Sequence, residues 1–383
     1  MPNALKSVYQ SISSWLQGPG GLYAGMITFG GGLLVVVLGV AQITETPEDQ
    51  TIAVVEGQFF EIATGSVTGT YYPLGNAIAS VISYPAGSVR CIDATRCGPP
   101  GLLGVVQAAP GSVANIKAVH EGATDSAFAQ ANVVNQAALA QAPFETPYDD
   151  VRAISGLYGE AIHLVVARGS DVQGLADLRG RRVSIDREGS GTFGVAQHIL
   201  ATEGITSRNT EFVETSADQS AELLISGELD AFFFVAGPPV RAVGALANLH
   251  LMELIPITGA AIDTLVDEEP YLTITEIAEN TYLDTPAVIT VGVTALWIVH
   301  RDADEELIYR ITRALWNEEN RDLLMEGPAQ AALMRLDLAD RGVPIPFHPG
   351  AERFYREAGL LRGDNEPVED AGDDAAQVEE ASE

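Results

Sequence analysis

The chain has 383 residues, enough for two or three packing units at ~150 residues per domain. Hydrophobic residues make up 46% and charged residues 19%, which supplies a real core and excludes a disordered or coiled-coil protein. Asp and Glu number 52 against 21 Lys and Arg, a formal charge of -31, and a surface that negative repels phosphate backbones, so no nucleic acid partner is expected.

Residues 1–21 carry Lys6 and no acid, and residues 22–42 hold no charge at all. That run is at the lower limit for a spanning helix. Glu45, Glu48 and Asp49 follow it, so the positive-inside rule leaves residues 1–21 as a cytoplasmic or n-region and exports what comes after. Residues 22–42 read equally as a transmembrane anchor or as a signal peptide cut after Ala41. Either way the expected location is periplasmic, with attachment to the inner membrane if the segment is retained. Outside the cytoplasm thiols oxidise, so Cys91 and Cys97, the only two cysteines, are expected to form a disulfide. Their spacing is not CxxC and no His lies near, so no metal site is expected.

From residue 57 short apolar strands alternate with helical patterns. QFFEIATG (58–65) is a strand running into a Gly/Ser/Thr loop, and the helix after it has Pro73 in its first turn and Leu74, Ile78, Val81 and Ile82 on one face. Ser112 caps a helix carrying Val113, Ile116 and Val119, and strand DSAFAQ (125–130) follows. HLVVA (163–167) and RRVSID (181–186) read as buried strands. Thr192 opens the next helix, and Ser216 with Gln219 forms a capping box for another that Gly227 ends. The last 20 residues, 364–383, hold nine acids and no base and read as a disordered acidic tail. This alternation implies α/β units with mainly parallel sheets.

An internal echo sharpens the architecture. GATDSAF (122–128) resembles GELDAFF (227–233) at an offset of 105, each follows a Ser-capped helix, and each half has an earlier Gly/Ser/Thr loop, 65–70 and 189–192. Two similar lobes facing one another would place both loops on a shared cleft, because open α/β sheets bind ligands beyond the carboxyl ends of their strands. Glycines there permit close backbone approach, and helix starts offer free N–H groups to an anion. Neither loop is a phosphate-binding P-loop or a nucleophile elbow, and no dinucleotide pattern or other cofactor signature occurs. The six histidines are scattered; His163 alone adjoins the expected cleft, and His348 reads as a structural hydrogen-bonder. Phe232, Phe233 and Phe234 read as core, with room for one of them to face the cleft. Asp125 and Asp230 read as structural turn residues.

The ordered segments TGSVTGTYYPLG (64–75), GSVANIKAVHEGATDSAFAQ (111–130), AISGLYGEAIHLVV (153–166), LADLRGRRVSIDREGSGT (175–192), GELDAFFFVAGPPV (227–240), VGVTALWIVH (291–300) and GVPIPFHPGAERFYREAG (342–359) together resemble the TAXI family. These are the extracytoplasmic solute-binding proteins of TRAP-type secondary transporters. The resemblance covers roughly residues 57–360. It implies a type II periplasmic-binding-protein fold of two α/β lobes around a central ligand cleft, here preceded by an N-terminal hydrophobic helix. Lobe 1 would comprise 57–160 plus 291–360 and lobe 2 residues 161–290. It also implies capture of a small organic acid or a glutamate-like amino acid, anionic or zwitterionic, for a TRAP membrane permease. By the family's pattern the ligand contacts are Gly65, Ser66, Thr70, Tyr71, Gln130, Glu160, Ser190, Gly191 and Thr192; if the guest docks its acidic group on the helix starts, Glu160 is expected to pair with an ammonium group. The stretch 90–104, with its two cysteines, departs from the pattern and is expected to reshape the cleft rim. Two other classes stand beside this one. A membrane-anchored ligand-sensing ectodomain would use the same fold without a permease. A hydrolase built on Ser66 or Ser190 is disfavoured, because no His–acid pair sits at recognisable spacing, and catalysis is not expected.

Overall fold

The computed structural model describes residues 57–361 apart from residue 270, so the expectations for residues 1–21, 22–42 and 364–383 lie outside the described residues. Among the described residues no helix is long and apolar enough to cross a membrane.

Short apolar runs ending in glycine-rich or hydroxyl-rich turns form two parallel sets of strands. In the first, β1 (Gln58–Ala63) lies between β2 (Leu102–Gln107) and β3 (Ser126–Gln130). In the second, β5 (Arg182–Ser184) lies between β6 (Glu211–Val213) and β7 (Ala231–Ala236). Two long strands join the sets: β4 (Val151–Ala167) and β10 (Val288–His300). At 17 residues β4 extends roughly 55 Å. Its first half pairs with β10, and at Ala161 it takes up Ala236 of β7. β10 makes the return passage, pairing first with β9 (Leu272–Ile277) and then with β3. β8 (Met252–Leu254) adds to the far end of β4. Two crossing strands that join two α/β lobes around a cleft are the type II arrangement.

The sheet is not mainly parallel as expected from the alternation: five of the nine strand pairings among the described residues are antiparallel. A strand that carries the chain across and one that brings it back must run in opposite directions, and each also opposes the strand beside it. HLVVA is accordingly the end of β4 and not a separate strand. Glycines within VRAISGLYGEAI obscure that continuity; a Cβ at Gly156 would stand 2.9 Å from the Ala339 carbonyl oxygen.

The helices cover the strands with the faces the sequence marks. α1 (Tyr71–Ile82) buries Leu74, Ile78, Val81 and Ile82 completely. Beneath it Trp297 meets Phe60 and Phe128 edge-on at 6.3 and 6.4 Å and donates its indole N–H to Ser126 Oγ at 3.0 Å. Each such buried side chain contributes on the order of 1.5–3 kcal/mol. α2 (Ser112–His120) is capped by Gly111 at φ 133, not by Ser112, whose hydroxyl instead accepts from the Gln130 amide at 3.1 Å. Helix α3 (Ala131–Ala138) continues directly from Gln130. In the second lobe α4 (Gly191–Thr202) buries Ala196, Ile199 and Leu200 against β7, where Phe232 and Phe233 are core. Ser216 caps α5 (Ala217–Ser226) by accepting from Gln219 N, and Gly227 at φ 74 closes it, a conformation that a residue without Cβ adopts cheaply. Asp230 accepts twice from the Arg182 guanidinium, at 2.7 and 3.1 Å, and Asp125 accepts from Glu61 N at 2.8 Å, so both aspartates hold turns.

Cys91 and Cys97 are bonded, with Cα atoms 5.6 Å apart. Beside them the Arg90 guanidinium donates to the carbonyls of Ser80, Val81 and Ser83 at 2.9–3.2 Å, neutralising the negative end of α1. The expected reshaping of the cleft rim by residues 90–104 is therefore absent. Arg90 folds that loop onto the C-terminal end of α1, whereas the cleft lies at its N-terminal end, and no residue of 90–104 lines it.

Candidate ligand-binding cleft

All nine residues assigned from the sequence line one narrow pocket of about 50 Å³. Two loops face each other across it. The loop after β1 delivers Gly65, Ser66, Thr70 and Tyr71 at the start of α1; the loop after β5 delivers Ser190, Gly191 and Thr192 at the start of α4. Gln130 arrives at the end of β3, and Glu160 from β4 one residue before that strand changes partners. Ligand clefts commonly measure 300–1,000 Å³, so the lobes are drawn together here.

Contacts across the cleft account for the contraction. Thr68 Oγ1 donates to Asp218 Oδ2 at 2.5 Å, and Ser66 Oγ donates to the same oxygen at 3.3 Å. The Gly237 carbonyl accepts from Thr70 Oγ1 at 2.9 Å and from Gln330 Nε2 at 2.6 Å. Ala114 N donates to the Gly189 carbonyl at 3.0 Å. Close approach relies on missing Cβ atoms: one at Gly191 would overlap the Gln130 side-chain amide, and one at Gly111 would stand 3.1 Å from Ser190 Cα. Phe234 is the member of the aromatic run that faces the pocket, 3.4 Å from where a Cβ on Gly69 would stand.

The charged groups of the pocket are mainly acidic. Glu160 is 3% exposed and accepts from the Tyr71 hydroxyl at 2.8 Å, with Tyr158 alongside. Burial pushes its pKa up to about 8, against the opposing effect of the two tyrosines. The same burial and the nearby Glu160 push the Tyr71 and Tyr158 hydroxyls upward. Asp186, which the sequence reading passed over, lies two residues beyond β5 at φ 68 and is 9% exposed. Burial raises its pKa, while the Arg187 amide and the Ser190 and Thr192 hydroxyls act to keep it charged. Its position beyond the carboxyl end of a strand, immediately before the second glycine loop, is equally that of an ordinary turn residue; its burial sets it apart.

Several hydroxyls expected to face a guest are thus engaged by the protein itself: Ser66 with Asp218, Thr70 with Gly237 and Tyr71 with Glu160. Ser190 Oγ accepts from Phe193 N, and Thr192 Oγ1 from Val235 N. The first two amides of α4, those of Gly191 and Thr192, donate to no protein acceptor among the described residues. His163 is not a cleft group. It is fully buried, its Nδ1 lies 3.1 Å from the carbonyls of Ala161 and Phe234, and its Nε2 lies 2.8 Å from the Tyr282 hydroxyl; burial pushes its pKa down to about 4. His348 caps the helix Pro349–Glu357 by accepting from Gly350 N. Among the described residues no cluster of side chains suits a metal ion.

A family model described as the NMT1-like family matches residues 62–359, more than three quarters of the chain. The chain belongs to the NMT1-like family. Solved structures that resemble this NMT1-like chain include a Bordetella bronchiseptica RB50 protein, 18% identical over 79% of this chain and 82% of its own, with a TM-score of 0.44. The alkanesulfonate-binding protein SsuA from Xanthomonas axonopodis pv. citri is 14% identical over 79% and 84%, with a TM-score of 0.40. The periplasmic aliphatic sulphonate binding protein SsuA from Escherichia coli is 13% identical over 80% and 95%, also at 0.40.

Proposed function

We propose that the protein is an extracytoplasmic solute-binding protein of the TAXI type that captures one small amino acid or organic acid and hands it to a TRAP-type permease. The observation that carries this reading is the convergence of two helix starts, one from each lobe, on a pocket that also holds the buried Glu160 carboxyl. Lobe 1 would be 57–160 plus 291–360 and lobe 2 residues 161–290, with the division at the partner change of β4.

Capture would work by closure. Gly65, Ser66, Thr70, Tyr71 and Gln130 present one wall, and Ser190, Gly191 and Thr192 the other. A guest that touches both walls favours the closed state by its differential affinity for it. The free amides of Gly191 and Thr192 would receive an acidic group, and Glu160 an ammonium. No covalent step is required, and turnover of ester or amide panels is expected to be nil. Replacing Glu160 by Gln tests the assignment: binding of an amino acid should weaken more than binding of an organic acid without an amine, measured by calorimetric titration. Equal losses would remove Glu160 from that role. TRAP coupling is tested by uptake of the labelled guest into vesicles carrying such a permease under an ion gradient without ATP; uptake that requires ATP would contradict it.

A further inference from the structure

The hydrogen-bonding balance of the pocket is one-sided. Gln130 is 3% exposed, and its Oε1 is buried without a hydrogen-bond partner. A buried acceptor left unpaired is costly, so a group that donates to it is favoured. Glu160 accepts from the Tyr71 hydroxyl and has the Tyr158 hydroxyl beside it, which still leaves part of the capacity of its two oxygens unused. Asp186 adds a second buried carboxyl on the opposite wall, next to the start of α4. The hydroxyl donors of the first loop are already spent, because Ser66, Thr70 and Tyr71 donate to protein oxygens, which leaves the two free amides at the start of α4. The one basic side chain lining the pocket, Arg187, is exposed and forms no ion pair among the described residues.

The Asp186 carboxyl also sits where an anion would otherwise enjoy the positive end of α4. The field of that helix start is therefore partly neutralised from within, and a second carboxylate brought there by a guest meets repulsion in a desolvated site. Two buried carboxyls, which a bound cation would hold ionised, and an orphaned acceptor in the same pocket favour a guest with N–H donors and positive charge.

From this we infer that the guest is a small organic cation, an ammonium or guanidinium compound of net positive charge, held between Glu160, Asp186 and Gln130, and not a glutamate-like or dicarboxylate anion. The inference rests on the reading of the pocket as a solute site and changes the expected charge of its ligand from anionic or zwitterionic to cationic. The geometry accommodates a basic amino acid, whose carboxylate would use the two free α4 amides, and equally an amine without any carboxylate.

Calorimetric titration of the full chain with L-arginine, agmatine, L-glutamate and succinate separates the outcomes. L-Arginine or agmatine should bind at least tenfold more tightly than L-glutamate or succinate, and this wild-type ratio is decisive by itself. Asp186→Asn retains a residue that tolerates the left-handed backbone, and it should lower affinity for the cations about tenfold while leaving the anions unchanged or improved. Tighter binding of glutamate or succinate would overturn the charge inference and leave the solute-binding reading standing. Absence of binding by all four and by a wider panel of neutral amino acids would overturn the solute-binding reading itself.

Discussion

Replacing Glu160 by Gln should remove a pH dependence of stability that burial of this carboxyl creates. The unfolded chain ionises Glu160 near 4.5, whereas the folded protein holds its proton to about 8. Between those values the native state binds a proton that the unfolded state has released. Stability from this group is therefore fully present below 4.5 and falls as pH rises through 8. At about 1.4 kcal/mol per pH unit the whole span amounts to a few kcal/mol, of which roughly 2 kcal/mol lies between pH 6.5 and 8. Other buried groups titrate nearby. His163, pushed down to about 4, contributes in the opposite sense by gaining stability as pH rises from 4 to 6.5, and the raised Asp186 acts like Glu160. The difference between wild type and E160Q isolates Glu160 from both. Urea unfolding at steps from pH 5 to 9 should give a difference that declines continuously by a few kcal/mol and levels off above pH 8. Parallel stability curves for the two proteins would refute the argument, because they would mean that the carboxyl reaches water or a cation that the structure does not show.

Three further outcomes follow from the same geometry. Gly191→Ala should hold the lobes apart, since the new methyl group overlaps the Gln130 amide; spin labels at Ser80→Cys and Ser207→Cys should report a longer or broader distance, and an unchanged distribution would contradict it. Asp218→Ala removes the carboxylate that accepts from Thr68 and Ser66. At about 1.5–3 kcal/mol for a hydrogen bond to a charged group, the closed-to-open ratio without ligand should drop tenfold or more in the same experiment. Replacing Cys91 and Cys97 by Ser should cost roughly 2 kcal/mol by the loop-entropy relation for so short a loop, read from urea midpoints, without altering guest affinity, because the loop packs on the far end of α1.

Much of this architecture was legible in the sequence. The apolar face of α1, the Ser216 cap, the Gly227 stop and the two glycine loops each carry a local signal, and the repeated order of those signals indicates two lobes. The length of β4 was not legible, because Gly156 and Gly159 break its apolar pattern although the backbone passes through them extended. The antiparallel centre is likewise a property of pairings between distant segments. At the site, the family resemblance names nine residues that line one pocket, but it could not show which hydroxyls are already occupied. Ser66 and Thr70 bond to Asp218 and Gly237, more than 150 positions away. Asp186 was missed because an isolated Asp at a strand end is ordinarily a turn residue, and only its burial opposite Glu160 distinguishes it.

Thermal unfolding with a panel of amino acids, amines and organic acids, run on wild type and on Gly191→Trp, addresses the shared pocket most directly. A guest present at a hundredfold its Kd adds about 2.7 kcal/mol to the folded state, which raises Tm by several degrees. At least one small compound should do so in wild type and lose the effect when the indole fills the space between the loops. A shift that survives in Gly191→Trp, or a complete panel without any shift, would contradict a guest seated there.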